Sequence, residues 1–228
     1  MKILITGASK GIGYELCKII LKEGIHNVIG ISRSSESFND PVFEKPNFTH
    51  LKLDLANTDF TDYLLPILRD KFGKIDIIIN NAGLLINKPY GELTDEDFDA
   101  MFNVNVKSAF RLIRDLLPII NSKAHIINIT SMGGFQGSSK FPGLSLYSSS
   151  KGALSILTEC MAEELKEYEI SVNALAMGAV QTEMLNNAFP GYKAPLSALE
   201  MAEFILDFAI NGNKYFNGKI LPVSISTP

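Results

Sequence analysis

The chain has 228 residues with a formal net charge of −4, and 46% of its residues are apolar. This length and composition allow one domain or two small ones with a sizeable core, and they argue against disorder. The negative charge, with no cluster of Lys or Arg, argues against a nucleic-acid surface. No apolar run approaches the roughly 18 residues of a membrane span, and the N-terminus lacks the features of a signal peptide.

The few cysteines and histidines further restrict the cellular compartment and the metal sites that the sequence allows. Cys17 and Cys160 are two lone thiols, which indicate a reducing compartment, so we predict a cytoplasmic protein. His26, His50 and His125 are scattered without metal-ligand spacing, so we predict no metal site. We likewise expect neither a nucleic-acid nor a membrane partner.

The N-terminal segment predicts a strand, a glycine-rich turn and a helix. Lys2–Thr6 is a short apolar run rich in β-branched residues, and a helical pattern of apolar residues starts near Gly11. Glycines between them let the backbone approach a pyrophosphate, and the helix N-terminus attracts its charge. The G-x-x-x-G-x-G spacing differs from both G-x-G-x-x-G and the P-loop. A plain strand-to-helix turn is the alternative.

The rest of the chain alternates between strand and helix patterns. Further strands are predicted over residues 27–32, 48–53, 75–80, 124–130, 170–176 and 219–224. Helices are predicted from Thr58 or Asp59 to about Phe72, from Thr94 to about Leu117, and over residues 147–168 and 198–210. Pro66 should kink the first of these helices or mark a late start. Residues 33–47, 132–143 and 186–197 are predicted loops.

This alternation predicts a parallel sheet with helices on both faces. No linker or repeat interrupts the pattern, so we expect residues 1–228 to form a single domain. Ligands of such sheets bind outside the carboxyl ends of the strands. The loops that should face one crevice follow Thr6, Ser32, Asp54, Asn80, Thr130 and Ala176.

Tyr147 and Lys151 stand out at this predicted crevice. They lie at i and i+4, so they share one face of the predicted helix. A free tyrosine has a pKa of about 10, and a neighbouring ammonium group favours the phenolate by Coulomb attraction. Such a pair can act as an acid–base group, although most pairs of this spacing are solvated surface residues. Ser131, at the end of the preceding strand, can hydrogen-bond a substrate oxygen.

With these residues identified, the chain resembles the short-chain dehydrogenase/reductase family from Met1 to about Thr182. The matching motifs are the TGxxxGxG turn from Thr6 to Gly13, Asp54-Leu55 on the adenine side, the NNAG motif from Asn80 to Gly83, the helix asparagine Asn105, the catalytic serine Ser131, the YxxxK pair Tyr147 and Lys151, the VNA segment from Val172 to Ala174, and Thr182. Jointly these motifs are highly specific. The resemblance implies a Rossmann-type, doubly wound α/β fold with a mainly parallel seven-stranded sheet and helices on both faces.

The resemblance also implies an enzyme that transfers a hydride between a nicotinamide cofactor and a small-molecule carbonyl or secondary alcohol. Tyr147 would donate or accept the proton, Lys151 would lower its pKa and bind the nicotinamide ribose, and Ser131 would orient the carbonyl. Asn105 would hold a water that links Lys151 to solvent. The implied cofactor-binding residues are Gly7, Ser9, Lys10, Gly11, Ile12, Gly13, Ser32, Arg33, Asp54, Leu55, Asn81, Ala82, Gly83, Tyr147, Lys151, Val180 and Thr182.

Each assignment has a simpler alternative. The NNAG motif can serve only to tie strands together, and Asn105 can cap a kinked helix. Ser131 has the rivals Thr130, Ser138, Ser139 and Ser145. We prefer Ser131 because it ends a strand and keeps the family's Ser-x-x-Gly context with Gly134.

The chain departs from the family pattern at three places. Sixteen positions separate Ser131 from Tyr147, a few more than is usual, and residues 137–140 look like the insert. Met177-Gly178 replaces the usual Pro-Gly, which predicts a looser hinge for a small lid after Thr182. The last residues, 223–228, lack the usual Asp-Gly-Gly.

NADP(H) is the predicted cofactor in preference to NAD(H). NAD enzymes typically place an acidic residue at the end of the second strand, where it holds the ribose 2′-hydroxyl and repels a 2′-phosphate. This chain has Ser32 there, followed by Arg33, and Lys10 adds a second cation from the glycine turn. Glu36 is the counter-indication, because a folded-back loop would put it in the acid's place.

Two other functions stay open at this point: a dinucleotide-binding sensor or scaffold without turnover, and net non-redox chemistry such as epimerisation. We also expect a homodimer or homotetramer, because two long helices carry more apolar residues than one sheet face needs. The candidate interface residues are Phe98, Met101, Phe102, Phe110, Leu154, Leu157 and Met161.

Overall fold

Seven strands form one parallel sheet in the computed structural model, which describes residues 1–225. They are β1 (Lys2–Thr6), β2 (Asn27–Ser32), β3 (Phe48–Lys52), β4 (Ile75–Asn80), β5 (Ile120–Ser131), β6 (Ser171–Met177) and, last in the chain, β9 (Ile220–Val223). Their order is β3-β2-β1-β4-β5-β6-β9, and every neighbouring pair is parallel. The predicted seven-stranded, doubly wound fold is confirmed. Residues 226–228 of the predicted tail lie outside the described residues.

Two short strands, β7 (Val180–Gln181) and β8 (Leu196–Ser197), pair separately beyond the carboxyl end of β6. The helices are α1 (Gly11–Glu23), α2 (Leu65–Phe72), α3 (Asp95–Phe102), α4 (Ser108–Leu116), α5 (Ser145–Glu164), α6 (Glu183–Ala188) and α7 (Ala198–Asn211). Within residues 1–225, none of them is long and apolar enough to cross a membrane.

The core forms two layers, one on each face of the sheet. Strand side chains alternate between faces, so Ile3 and Ile5 of β1 pack with α1 and α7, whereas Leu4 packs with α2, α4 and α5. All three side chains are fully buried, as expected for apolar runs without polar alternation in a parallel sheet. The strand order reverses between β1 and β4, so the topological switch point lies at Thr6 and Asn80.

Helix starts follow local chemistry. Thr94 begins α3 in a capping box with Asp97, and Asp59 rather than Thr58 caps the segment before α2 by accepting from the Asp62 N–H at 2.8 Å. That segment, Phe60–Leu64, is a π-helical turn that leads directly into α2. Pro66 therefore lies in the first turn of α2, directly after the π-helical turn.

Several boundaries differ from the predictions for identifiable reasons. The predicted long helix from Thr94 is interrupted by a π-helical turn, Asn103–Lys107, which separates α3 from α4. β5 begins at Ile120 rather than Ala124, since the pairing with β4 shifts register between Ile75 and Ile77 and absorbs the intervening polar residues. The predicted loop of residues 186–197 starts inside α6, a helix that the sequence pattern did not reveal.

Candidate active site

The glycine turn packs too closely for side chains. Gly7 has φ +70°, and a Cβ there would lie 2.8 Å from the Cα of Ala82. A Cβ at Gly13 would overlap the carbonyl oxygen of Gly7. These two glycines therefore let β1, α1 and the loop after β4 meet at the switch point.

The N-terminus of α1 is suited to an anionic group. Among residues 1–225, no side chain caps this helix, and its first turn contains no acidic residue. Its backbone N–H groups and positive dipole end can therefore meet a phosphate. Ser9 is half-buried beside this end, whereas the side chain of Ile12 belongs to the core.

The NNAG loop is tied to β1 by hydrogen bonds. The backbone N–H groups of Asn81 and Ala82 donate to the Thr6 hydroxyl at 3.1 and 3.0 Å. The Asn81 side chain donates to the carbonyls of Thr6 and Gly7 at 3.0 and 3.3 Å. The structural alternative for this motif thus applies at least to Asn81, whose amide joins the two strands at the switch point.

Asn105 lies in the π-helical turn and is buried. Its Nδ2 donates to the Leu84 carbonyl and to the Ser150 hydroxyl, both at 2.9 Å, and its Oδ1 accepts from the Leu84 N–H at 2.7 Å. The side-chain amide therefore joins the loop after β4 to α5. Both amide protons have protein acceptors, so the side-chain amide positions these two segments. That Asn105 holds a water stays a prediction.

α5 is fixed on the sheet by a buried polar chain. The side chain of Asn80 donates to that of Asn128 at 2.8 Å, and Asn128 donates to the Thr158 hydroxyl of α5 at 2.9 Å. At Gly134, a Cβ would lie 2.5 Å from the backbone N of Gly152. The glycine of the Ser-x-x-Gly segment thus lets the loop after β5 touch α5 directly.

Ser131, the last residue of β5, and Tyr147, in the first turn of α5, are neighbours, and the Ser131 hydroxyl is close enough to act on the pKa of the phenol. Burial raises the pKa of the Tyr147 phenol above its ordinary value, and the Ser131 hydrogen bond lowers it by a smaller amount. The family resemblance implies that Lys151 lowers this pKa. Without a bound cofactor, desolvation has the largest effect on the pKa of Tyr147, so the phenol stays protonated at neutral pH.

Lys151 lies one helical turn further on, as its spacing predicts. Its ammonium nitrogen donates to the Ile129 carbonyl at 2.9 Å and lies 5.9 Å from the centre of the Tyr147 ring. The side chain is 3% exposed, and burial lowers its pKa from 10.5 to about 8. A Cβ at Gly83 would lie 3.4 Å from this nitrogen, so the NNAG glycine leaves room for it.

Three of the rival hydroxyl groups are placed differently. Thr130 is buried and donates to the Leu175 carbonyl at 3.3 Å, and Ser138 donates to the Phe135 carbonyl at 2.9 Å. The Ser145 hydroxyl is buried without a hydrogen-bond partner in the described part of the chain. Among Thr130, Ser131, Ser138 and Ser145, Ser131 is the one whose hydroxyl lowers the pKa of the Tyr147 phenol.

At the expected adenosine end, two side chains are committed to protein partners. Ser32 is buried, and its hydroxyl donates to the Ser34 carbonyl and hydrogen-bonds Nε2 of His50, both at 2.7 Å. The Asp54 carboxylate accepts from the Ala56 N–H at 3.1 Å and from the Asn57 amide at 3.0 Å. Both side chains therefore shape their own loops, and Leu55 is buried in the core.

The cations at this end differ in their surroundings. Arg33 is exposed, as is Glu36. The Lys10 ammonium is paired with the carboxylate of Glu183 at 3.0 Å. Sequence reasoning missed both Glu183 and His50, because no local signal links residues so far apart in the chain.

A lid follows β6. Val180 belongs to β7, and the hydroxyl of Thr182 caps α6 by accepting from the Leu185 N–H at 3.2 Å. Asn87, in the loop after β4, donates to the Ala188 carbonyl at 2.9 Å at the other end of α6. The lid thus spans the crevice between the glycine turn and the loop after β4.

Two cavities of the protein lie away from the catalytic candidates. These cavities, of about 460 and 220 Å³, lie between α1 and α7 and at the amino end of the sheet, and neither is lined by the catalytic candidates. Within the described residues, no group of three or more His, Cys, Asp or Glu side chains is placed to hold a metal ion.

A parallel α/β fold with Ser131, Tyr147 and Lys151 at its switch-point crevice defines the class of protein. Residues 1–193 match the sequence profile of the short chain dehydrogenases, and the chain belongs to the short-chain dehydrogenase/reductase family of enzymes. Carbonyl reductase (NADPH) 2 of Sus scrofa is 32% identical over 187 residues, which cover 81% of this chain and 73% of the relative.

Solved structures agree in fold over nearly the full length. 4-Hydroxyisoleucine dehydrogenase complexed with NADH superposes with a TM-score of 0.86 at 25% identity, covering 98% of this chain and 96% of the other. ElxO with NADP bound superposes with a TM-score of 0.83 at 27% identity, covering 97% and 96%. The expected family, fold and enzyme type are therefore confirmed.

Proposed function

We propose that the protein is an NADP(H)-dependent oxidoreductase whose single domain transfers a hydride between the nicotinamide and a small carbonyl or secondary alcohol. The observation that carries this proposal is the placement of Ser131 beside the Tyr147 phenol, with the buried Lys151 ammonium 5.9 Å from the Tyr147 ring. A pure binding protein has no need of a buried cation, which costs stability, beside a partly buried tyrosine.

The glycine turn fits a dinucleotide. Because Gly7 and Gly13 carry no side chains, the backbone of the turn can come close to the dinucleotide. The uncapped N-terminus of α1 favours a negative charge there. Of the residues implied by the resemblance, we assign Gly7, Gly11 and Gly13 to the pyrophosphate, and Lys151 to the ribose. When bound, the nicotinamide supplies or accepts the hydride.

The protein residues supply positioning and the proton. Ser131 holds the substrate oxygen beside Tyr147, whose phenol donates its proton to that oxygen as the carbonyl is reduced. The raised pKa keeps this proton in place at neutral pH. In the reverse direction the phenolate takes the proton from the alcohol, and a positive charge nearby favours that form.

NADP(H) is supported by the charges at the adenosine end. Arg33 and Lys10 are cationic and exposed, and Ser32 offers no carboxylate to repel a 2′-phosphate. The similarity to an NADPH-named carbonyl reductase agrees with this choice. The similarity to a dehydrogenase complexed with NADH makes the comparison of both cofactors essential.

The test is a panel of aldehydes, ketones and sugars, scored by the loss of NADPH or NADH absorbance. We expect turnover with at least one carbonyl substrate and a higher kcat/KM with NADPH than with NADH. Arg33→Ala should reduce that preference about tenfold, since a charge-assisted hydrogen bond to phosphate is lost. A preference for NADH in the wild type would contradict the cofactor assignment, and failure to bind either dinucleotide would contradict the function.

We further propose a reducing, cytoplasmic setting, which the two free cysteines support.

We also propose that the protein forms a homodimer or homotetramer. Phe98 and Phe110 are 43% and 42% exposed, so they are available for an interface. Met101, Leu154 and Met161 are buried within the chain instead, which removes them from the candidate interface.

A further inference from the structure

Glu183 and Lys10 join the lid to the glycine turn. Both carboxylate oxygens of Glu183, the first residue of α6, lie 3.0–3.1 Å from the ammonium nitrogen of Lys10. Lys10 immediately precedes α1, whose N-terminus carries no side-chain cap from the described residues. Glu183 therefore forms an ion pair with the cationic residue that directly precedes the N-terminus of α1, where we expect the phosphates to bind.

A second contact places the start of α6 over the same turn. The side chain of Thr182 lies 3.5 Å from the position that a Cβ at Gly11 would take. The other end of α6 is held by Asn87, which donates to the Ala188 carbonyl. The lid is thus attached on both sides of the crevice, and within residues 1–225 only the Lys10 side is attached by an ion pair.

This charge matters for a phosphorylated ligand. Lys10 and Glu183 are 67% and 57% exposed, so the pair is hydrated and exchangeable. A phosphate that binds Lys10 must displace the carboxylate or share the ammonium with it, and the carboxylate repels the phosphate directly. Glu183 therefore weakens the binding of a ligand that has an additional phosphate near Lys10 more than the binding of a ligand without that phosphate.

We propose that Glu183 is a specificity-determining residue that competes with the cofactor's phosphate for Lys10 and thereby weakens NADP(H) binding more than NAD(H) binding. The proposal rests on the proposed function for the identity of the ligand. Under this proposal Glu183, in the lid, disfavours NADP(H), whereas Lys10 favours it.

The test is the dissociation constant of each dinucleotide, measured by calorimetry without substrate. Glu183→Gln should tighten NADPH binding about threefold to fivefold and NADH binding less than twofold, as expected for an exposed ion pair. Glu163→Gln is the matched control, because Glu163 forms an exposed ion pair with Lys166 at 3.5 Å, away from the crevice. It should leave both constants unchanged.

A double-mutant cycle identifies the path of the effect. In a Lys10→Ala background, Glu183→Gln should no longer change the NADPH-to-NADH ratio, because the contested cation is gone. An unchanged ratio in the single Glu183→Gln variant, or an equal gain for both cofactors, would overturn the proposal. So would a ratio change that persists without Lys10. If the wild type binds neither dinucleotide, the proposed function fails instead.

Discussion

The ammonium group of Lys151 donates a 2.9 Å hydrogen bond to the carbonyl of Ile129, inside the carboxyl edge of the sheet. This carbonyl is its only protein hydrogen-bond partner found among residues 1–225, so the charge is poorly compensated. Burial accordingly lowers the pKa of the amine to about 8. The site keeps a cation whose burial costs stability, so the group that activity requires destabilises the fold.

Replacing Lys151 by Met should stabilise the protein at pH 7 by about 2 kcal/mol while abolishing turnover, since a pKa lowered by burial reports the cost of the charge. The folded-state pKa lies below that of the unfolded chain. Wild-type stability should therefore rise between about pH 8 and pH 10.5, and the variant's advantage should disappear over that range. Urea unfolding at several pH values measures this. Lys71→Met, at an exposed position, is the control and should show no such advantage.

Tyr147→Phe should abolish turnover and leave dinucleotide binding nearly intact, because the phenol acts on the reacting oxygen. Lys151→Ala should damage both binding and rate. Since burial raises the pKa of Tyr147, reduction should proceed at neutral pH and alcohol oxidation should increase with pH. Steady-state rates in both directions test this, with the exposed Tyr168→Phe as the control. A near wild-type kcat in Tyr147→Phe would remove the phenol from the mechanism.

His125 should make the fold sensitive to acid. Its Nδ1 donates to the Ala209 carbonyl and its Nε2 accepts from Asn173, both at 3.0 Å, and burial lowers its pKa to about 4. The unfolded chain binds the proton more readily, so stability should be full above pH 6.5 and fall by about 3 kcal/mol as the pH approaches 4. His125→Gln should flatten this slope in denaturation experiments. An equally steep slope in the variant would assign acid sensitivity to other groups.

Gly13→Ala should weaken dinucleotide binding and destabilise the protein by about 1–3 kcal/mol, because its Cβ would overlap the Gly7 carbonyl oxygen and push α1 away from the turn. Gly91→Ala is the matched control, since a Cβ at Gly91 meets no atom of the described residues within 4 Å. Thermal unfolding and NADPH titration compare the two. Wild-type binding by Gly13→Ala would show that the turn is not the phosphate cradle.

Light scattering at micromolar concentration should give the mass of a dimer or tetramer. Phe110→Glu should shift the protein towards monomer, because Phe110 is exposed on α4 and a carboxylate there opposes burial against a second chain. Tyr63→Glu, at another exposed aromatic position, should not change the mass. A monomeric wild type would contradict the interface.

Apolar runs between polar segments made the strands of the large sheet predictable, apart from the polar start of β5, whereas β7 and β8 are too short to show a pattern. The spacing of Tyr147 and Lys151 in the sequence pointed to the site. The π-helical turn around Asn105 was not predictable, since its cause is tertiary: the Asn105 amide reaches Leu84 and Ser150. The raised pKa of Tyr147 likewise depends on burial that no local pattern encodes.

The strand order also bears on how the chain is made. β2 pairs with β1, β3 with β2, and β4 with the opposite side of β1; β5, β6 and β9 then follow one after another on that side. Each new strand of a nascent chain therefore finds its partner already at an edge. Because no strand has to be inserted between two paired strands, the sheet can grow in the order of synthesis without reopening.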